Sequence, residues 1–186
     1  MALHNAILAV LLDTEASGYD LAKYFDASVA NFWTSTPQQI YRELERMEAQ
    51  GLLSARVVPQ ERRPNKRLFS LTEAGRAELH GFTARGPKPL AYRDELLVQV
   101  QSLEAGDAEA VRRAVRDKQE AAETKLTRYS RLRDRILAGR TEADFLATAD
   151  RVGPYLTLAR GITFEQENIR WCEFVLDVLD RRTDHG

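Results

Sequence analysis

The feature that most constrains the fold is a capped helix followed at once by a change of hydrophobic period. Thr36 precedes Pro37, a pair typical of a helix start, because the threonine oxygen accepts a first-turn hydrogen bond and proline leaves no N–H unpaired. Apolar residues then recur at helical spacing as far as Met47, and Gly51 favours a left-handed C-terminal cap. The stretch 52–71 holds two β-prone segments around a polar turn, so we predict a helix followed by a β-hairpin.

Helices are predicted on both sides of this pair of elements. Residues 3–12 concentrate apolar side chains in a first buried helix, and Ser17 with Asp20 three positions later forms an approximate capping box for a second. Thr72 is positioned to cap another helix after the hairpin. The resulting order of helix, helix, capped helix, hairpin and helix is that of a winged helix-turn-helix, in which one helix enters the major groove of DNA.

A domain boundary is indicated at residues 85–89, where two prolines and a glycine (RGPKP) end a helix and begin a linker. Beyond it the composition favours helices, which we predict over about 91–102, 107–137 and 153–179. The expected fold class is mainly α with a small β-hairpin wing. It comprises a winged helix-turn-helix DNA-binding domain at residues 1–84 and a helical dimerisation domain at residues 90–182.

The two long C-terminal helices carry apolar stripes at alternating spacings of four and three residues, a pattern typical of helices that pair along a seam. Lys118 and Lys125 interrupt the first stripe, and Glu165 interrupts the second. Because the chain has few other helices to cover these faces, we expect a second subunit to do so. The pattern therefore predicts a homodimer formed through the C-terminal helices.

Several short segments resemble the PadR family of phenolic-acid-responsive transcriptional regulators. They are SGYDL at 17–21, QIYREL at 39–44, EAQGLL at 48–53, LFSLTEAGR at 68–76 and YRDELL at 92–97. The last resembles the start of the helical C-terminal domain in longer members similar to virulence activators. Arg42 departs from the family pattern, in which many members carry proline. The resemblance implies a DNA-binding regulator and allows an aromatic small molecule as effector.

The net charge of −1 argues against a broad polyanion binder, so a DNA surface must be local. Between residues 36 and 67, seven cations stand against four anions. Gln and Arg on the exposed side of the capped helix can read adenine and guanine, and cations on the wing suit phosphate. The alternative is a solvated face with pairs such as Arg42–Glu45 or Glu43–Arg46. The candidate DNA-binding residues are Ser17, Tyr19, Thr36, Gln38, Gln39, Tyr41, Arg42, Arg46, Arg62, Arg63 and Lys66.

Other kinds of site have weaker signals. Trp33, Phe164 and Trp171 are candidates for binding an aromatic effector, although aromatic side chains at helical spacing are more often part of a core. The three histidines are scattered, and Cys172 is the single cysteine. There is no HExxH motif and no phosphate-binding glycine loop, so we expect no catalytic residues, no metal site and no cofactor. Without a leader pattern or a run of ~18 apolar residues, we expect a cytoplasmic protein with no membrane partner.

The function predicted from the sequence is that of a sequence-specific DNA-binding transcriptional regulator, a repressor that acts as a homodimer. The alternative is a winged-helix protein–protein interaction module with a helical scaffold domain, which the near-neutral net charge favours. Titration with mixed-sequence duplex DNA separates the two, because only a DNA binder has an affinity that falls steeply with salt.

Overall fold

The computed structural model describes residues 2–25, 33, 35–60, 65–87, 89 and 93–183. The chain divides into two compact units, Met1–Pro89 and Leu90–Gly186. The first contains α1 (Ala2–Val10), α2 (Gly18–Tyr24), α3 (Pro37–Ala49), β1 (Leu53–Val58), β2 (Lys66–Leu71) and α4 (Glu73–Thr83). The second contains α5 (Glu95–Gln101), a 3-10 turn (Leu103–Ala105), α6 (Ala108–Leu137), α7 (Glu142–Thr148) and α8 (Gly153–Thr183). The predicted fold class is confirmed, whereas the predicted domain limits and roles stay predictions.

The helix starts of the first unit follow from their capping residues. Ser17 and Asp20 form the expected capping box at the start of α2, in which each side chain accepts a hydrogen bond from the other residue's backbone N–H. Thr36 caps α3, with Pro37 in its first turn. Gly51 has a φ of +71°, the left-handed conformation that glycine adopts without steric cost, so the chain turns out of α3 here as predicted.

The hairpin is longer at its turn end than the sequence indicated. Strands β1 and β2 pair antiparallel from Leu53 opposite Leu71 to Val58 opposite Lys66, so β2 begins two residues before the predicted strand start at residue 68. A bridge between Ala16 and Phe69 ties the segment before α2 to the hairpin, with N–O distances of 3.1 and 2.9 Å. The wing is therefore attached to the start of α2 by backbone hydrogen bonds.

The core of the first unit fixes the direction of α3. Ile40, Leu44 and Met47 are buried, as their spacing predicted, among apolar side chains of α1, α2 and the hairpin. Helix α4 approaches the turn after α3 so closely at Gly75 that a β-carbon there would lie 2.2 Å from the carbonyl oxygen of Leu52. These contacts leave the opposite side of α3 facing solvent.

In the second unit, α6 and α8 pack against each other along the two predicted stripes. Arg112 pairs with Asp180 whereas Lys125 pairs with Glu165, so the helices run antiparallel. The Lys125 Nζ to Glu165 Oε1 distance is 3.4 Å, and thus two residues that interrupt the stripes neutralise each other. The expectation that another subunit must cover these faces was wrong, because they cover each other within one chain.

Two further elements of the second unit differ from expectation. Helix α5 begins at Glu95 after the capping residue Asp94, later than the predicted start at residue 91, which lies outside the described residues. Helix α7 was missed, because seven residues are too few for a clear period; Thr141 caps it, and its Phe145 is buried beside Tyr155. Among the described residues, no helix is long and apolar enough to span a membrane, and no cluster of side chains is suited to hold a metal ion.

Candidate nucleic-acid interface

The solvent-facing side of α3 carries the polar side chains that the sequence predicted there. Gln38, Tyr41, Arg42 and Arg46 are exposed, and Tyr41 has 44% of its surface accessible. Because three buried apolar residues of the same helix set its rotation, these side chains project in defined directions. A helix held in this way can present hydrogen-bonding groups to the base edges of a major groove.

Two of the candidate residues, Thr36 and Gln39, also cap the start of α3. The Gln39 side-chain oxygen accepts a hydrogen bond from the Thr36 backbone N–H at 2.9 Å, and the Thr36 hydroxyl accepts one from the Gln39 N–H at 3.3 Å. The Gln39 carbonyl is therefore engaged in the cap, and its amide nitrogen is the group with capacity left for a base. The sequence contained this signal, because Gln at the third helical position completes a capping box.

Carboxylates within the first unit neutralise much of its local positive charge. Arg46 pairs with Glu43, one of the two surface pairs weighed from the sequence. Arg67 pairs with Glu48 and Arg56 with Glu15, each at 2.6 Å. Among the described residues Arg42 has no ion pair. Arg42 is therefore the cation of α3 that is ready to bind an external acceptor.

A groove of about 770 Å³ lies between the start of α2, the exposed side of α3 and the turn end of the hairpin. Lys66 lines it and forms an ion pair with Asp20, with a Nζ to Oδ2 distance of 2.8 Å. The Lys66 ammonium, and after it the Ser17 hydroxyl, lowers the pKa of the Asp20 carboxyl. Lys66 is therefore the first residue of β2, next to the turn rather than within it as predicted, and Ser17 is buried with its hydroxyl engaged.

Tyr19 and Lys23 form an exposed pair on α2. Tyr19 is 59% exposed, and the Lys23 Nζ lies 4.5 Å from its ring centroid. A hydrogen bond with Tyr19 raises the pKa of Lys23. Lys23 is not among the residues predicted from the sequence, although its spacing of four residues from Tyr19 was the available signal. The pair adds a cation and a hydroxyl to the same side as the groove.

Helices α2 and α3 meet at a glycine. A β-carbon at Gly18 would lie 2.3 Å from the Tyr41 Cε1 atom, so the Tyr41 ring occupies space that any other residue at position 18 would need. Both residues line the groove. Gly18 of the SGYDL motif is thus required by its packing against Tyr41 as well as by its place at the start of α2.

The remaining candidate residues are not gathered into one site. Arg62 and Arg63 lie outside the described residues. Trp33 packs against the core of the first unit, and Trp171 packs against the α6–α8 core of the second. Phe164 is 36% exposed on α8, with the Arg160 guanidinium 5.3 Å from its ring centroid. The packing of the two tryptophans agrees with the core role that is the more common one for aromatic side chains at helical spacing.

Two family models match the chain in succession. The transcriptional regulator PadR-like family matches residues 7–81, and the virulence activator alpha C-terminal family matches residues 92–180. A probable transcriptional regulator of Mycobacterium tuberculosis is 33% identical over 192 residues, covering 98% of this chain and 100% of the relative. The chain belongs to the PadR-like family of transcriptional regulators. The predicted resemblance is therefore confirmed, and so is the prediction of a regulator rather than an enzyme.

Three solved structures are similar to nearly the whole chain. The negative transcriptional regulator PadR of Bacillus subtilis is 27% identical over 180 residues. Its crystal structure with operator DNA has a TM-score of 0.79 at 26% identity, covering 96% of this chain and 99% of that one. Its complex with p-coumaric acid has a TM-score of 0.72 at 25% identity, covering 97% and 99%. The virulence activator AphA of Vibrio cholerae has a TM-score of 0.73 at 28% identity, with coverage of 97% and 99%.

Proposed function

We propose that this PadR-like regulator is a cytoplasmic, sequence-specific DNA-binding repressor that acts as a homodimer and reads its operator with α3. The observation that carries the proposal is the exposed, rigidly oriented face of α3, on which Arg42 has no ion pair among the described residues. The likeness to a PadR crystallised with operator DNA supports the same use of the fold. The repressor role is supported by the name of that relative, a negative regulator.

The different roles that we propose for α3 and for the wing follow from the rigidity of α3. Gln38 and Arg42 project from a packed helix, and such side chains can hold the paired hydrogen bonds that distinguish adenine and guanine. Arg62 and Arg63 stand in the sequence between β1 and β2, outside the described residues, and we assign them to phosphates. A phosphate contact needs charge rather than a fixed bidentate geometry, and it positions the protein without reading sequence.

A homodimer is supported by exposed apolar side chains on a second side of α8. Leu156, Phe164, Phe174 and Val178 are exposed, and Phe174 has 64% of its surface accessible. At 3.6 residues per turn these four lie within a quarter turn of one another, on the side away from the α6 contact, with the exposed Arg160 and Glu167 among them. Apolar side chains exposed on the side of a helix away from its partner are suited to contact a second helix. A second copy of α8 is the partner that a symmetric dimer provides.

An aromatic small molecule is proposed as the effector. The support is the complex of the Bacillus subtilis PadR with p-coumaric acid, together with aromatic side chains on α8. Titration of the full chain with p-coumaric acid, followed by tryptophan fluorescence and by DNA affinity, tests this proposal. Quenching together with weaker DNA binding is the expected result, whereas no change in either signal contradicts it.

The decisive experiment compares α3 with the wing on an operator selected from random duplex DNA. Arg42→Ala should weaken binding to the operator by ~1–3 kcal/mol and to random DNA much less. Replacing Arg62 and Arg63 together with alanine should weaken all duplexes alike and reduce the slope of log K against log salt by about one per lost phosphate contact. Arg116→Ala, which removes an exposed charge from α6, is the matched control and should change neither.

Other outcomes overturn this assignment. If the wing variant loses sequence preference while Arg42→Ala weakens all duplexes alike, the roles of the two elements are reversed. If the unaltered protein has no salt-dependent affinity for duplex DNA, the protein–protein interaction module becomes the better interpretation.

A further inference from the structure

Asp20 takes part in two interactions at the junction of α2 and the wing. Its Oδ2 accepts hydrogen bonds from the Ser17 hydroxyl at 2.8 Å and from the Ser17 backbone N–H at 3.4 Å, completing the α2 capping box. The same oxygen forms the 2.8 Å ion pair with the Lys66 Nζ. One carboxylate therefore joins the start of α2 to the first residue of β2.

This ion pair faces the groove beside α3. Asp20 and Lys66 line the groove together with Tyr41 and Glu45, and their side chains are 45% and 36% exposed. The bridge between Ala16 and Phe69 holds the two chain segments together next to the pair. These backbone hydrogen bonds hold the segment before α2 and strand β2 in place. The Lys66 ammonium therefore pairs with Asp20 before an external anion enters the groove.

We propose that Asp20 is a positioning residue that holds Lys66 away from DNA phosphates and thereby lowers the affinity of the regulator for duplex DNA. This inference rests on the proposed function, because it concerns the same interface. Lys66 then adds little to the phosphate contacts of the unaltered protein, although the sequence analysis counted it among the DNA-binding residues. The affinity is limited by an intramolecular carboxylate that occupies the place of a phosphate.

The physical basis is competition for one cation. A lysine that neutralises a phosphate releases condensed counterions and adds about 0.9 to the magnitude of the slope of log K against log salt. A lysine already neutralised by a carboxylate does not add this increment. An exposed ion pair is weak, so a conservative substitution can remove it without unfolding the domain.

Asp20→Asn is the central variant, because the asparagine oxygen can still accept hydrogen bonds from Ser17 while the negative charge is lost. We expect a salt slope steeper by about 0.9, which makes the fall in DNA affinity between 50 and 200 mM salt larger by about 3.5-fold. Asp20→Glu keeps the charge and the capping function and should return the slope to that of the unaltered protein.

Lys66→Met, made in the unaltered chain and in the Asp20→Asn background, shows whether Lys66 causes the change in salt slope. We expect removal of the lysine to reduce the slope by about 0.9 in the Asp20→Asn background and by much less in the unaltered chain. Glu120→Gln, which makes the same charge change on the exposed side of α6, is the control and should leave the slope unchanged. Urea unfolding of each full-length variant verifies that the fold is retained.

Two results overturn the inference. An equal effect of Lys66→Met in both backgrounds means that Lys66 already contacts phosphate or that only general electrostatics operates. A slope that Asp20→Asn leaves unchanged, in a protein that binds DNA, means that Lys66 does not reach the DNA at all. Absence of salt-dependent DNA binding by the unaltered chain instead contradicts the proposed function, so the two failures are distinguishable.

Discussion

Gln39 has two roles at the start of α3. Its carbonyl oxygen accepts the Thr36 N–H, which would otherwise be an unpaired donor at the beginning of the helix. Its amide nitrogen lies on the face that we propose reads DNA. A substitution at this position therefore changes the stability of the helix and the interface at once, and loss of DNA binding alone does not identify the cause.

Two substitutions at this position separate the roles. Gln39→Ala should lower the free energy of unfolding by about 0.5–1.5 kcal/mol, because one hydrogen bond of the cap is lost. Gln39→Glu should retain that stability, since glutamate completes the same capping box and suits a helix N-terminus. It should nevertheless weaken binding to every duplex, because it brings an anion toward the phosphates.

Urea unfolding of the full chain and titration with duplex DNA are the measurements for these variants. Gln38→Ala is the control, since Gln38 is exposed on the same turn and is not the cap partner of Thr36. It should change DNA affinity without changing stability. An unchanged unfolding free energy in Gln39→Ala is the result that contradicts the capping role.

Among the elements, α4 is positioned by close packing that only a glycine, Gly75, allows. The Leu52 carbonyl accepts a hydrogen bond from the Thr72 N–H at 3.2 Å, and Gly75 packs directly onto that carbonyl. The backbone there is held from both sides, so it cannot move away from an added methyl group. Helix α4 in turn packs on β2 and on α1.

Alanine substitutions at two glycines of this helix should have opposite effects. Gly75→Ala should destabilise the first unit by about 1–3 kcal/mol or more, because its β-carbon would overlap the Leu52 oxygen. At Gly81 the nearest atom to an added β-carbon is the Arg85 Nη2, at an ordinary 3.8 Å. Gly81→Ala should therefore raise stability by up to about 1 kcal/mol through higher helix propensity.

Thermal and urea unfolding followed by circular dichroism measure both glycine variants. If Gly75→Ala proves as stable as Gly81→Ala, the close contact of α4 with the turn after α3 does not exist as described. The comparison is controlled internally, because both variants add one methyl group to the same helix.

For the whole molecule, the decisive feature is that α8 carries apolar side chains on two sides. One is covered by α6, and the other exposes Phe174 and Val178. Phe174→Glu should convert a dimer into a monomer, because a symmetric interface would place both introduced charges in an apolar contact. The monomer should also bind the operator more weakly, since a dimer engages two half-sites about one helical turn, ~34 Å, apart or a multiple of it.

Sedimentation velocity at micromolar concentration distinguishes the two states. Gln166→Glu adds the same charge to an exposed position on another side of α8 and should leave the dimer intact. A monomeric unaltered chain, or a Phe174→Glu variant that remains dimeric, contradicts an interface built on this face.

The sequence by itself determined the elements whose causes are local in the chain. Thr36 and Pro37 began α3, Gly51 ended it, and the change of period at residue 52 produced the hairpin. A cap acts within one helical turn and a strand period within a few residues, so the information lies in neighbouring residues. The same reasoning found the face of α3 that carries Arg42, because burial of Ile40 and Leu44 sets the rotation of the helix.

The tertiary structure alone decided which distant charges meet. Lys125 and Glu165 appeared to be defects in two separate stripes, yet they form one ion pair across α6 and α8. The cations between residues 36 and 67 appeared to be a basic surface, yet Lys66 is held by Asp20 and Arg67 by Glu48. Electrostatic interaction depends on distance in space rather than on separation along the chain, so the charge of a surface follows only from the folded arrangement of its residues.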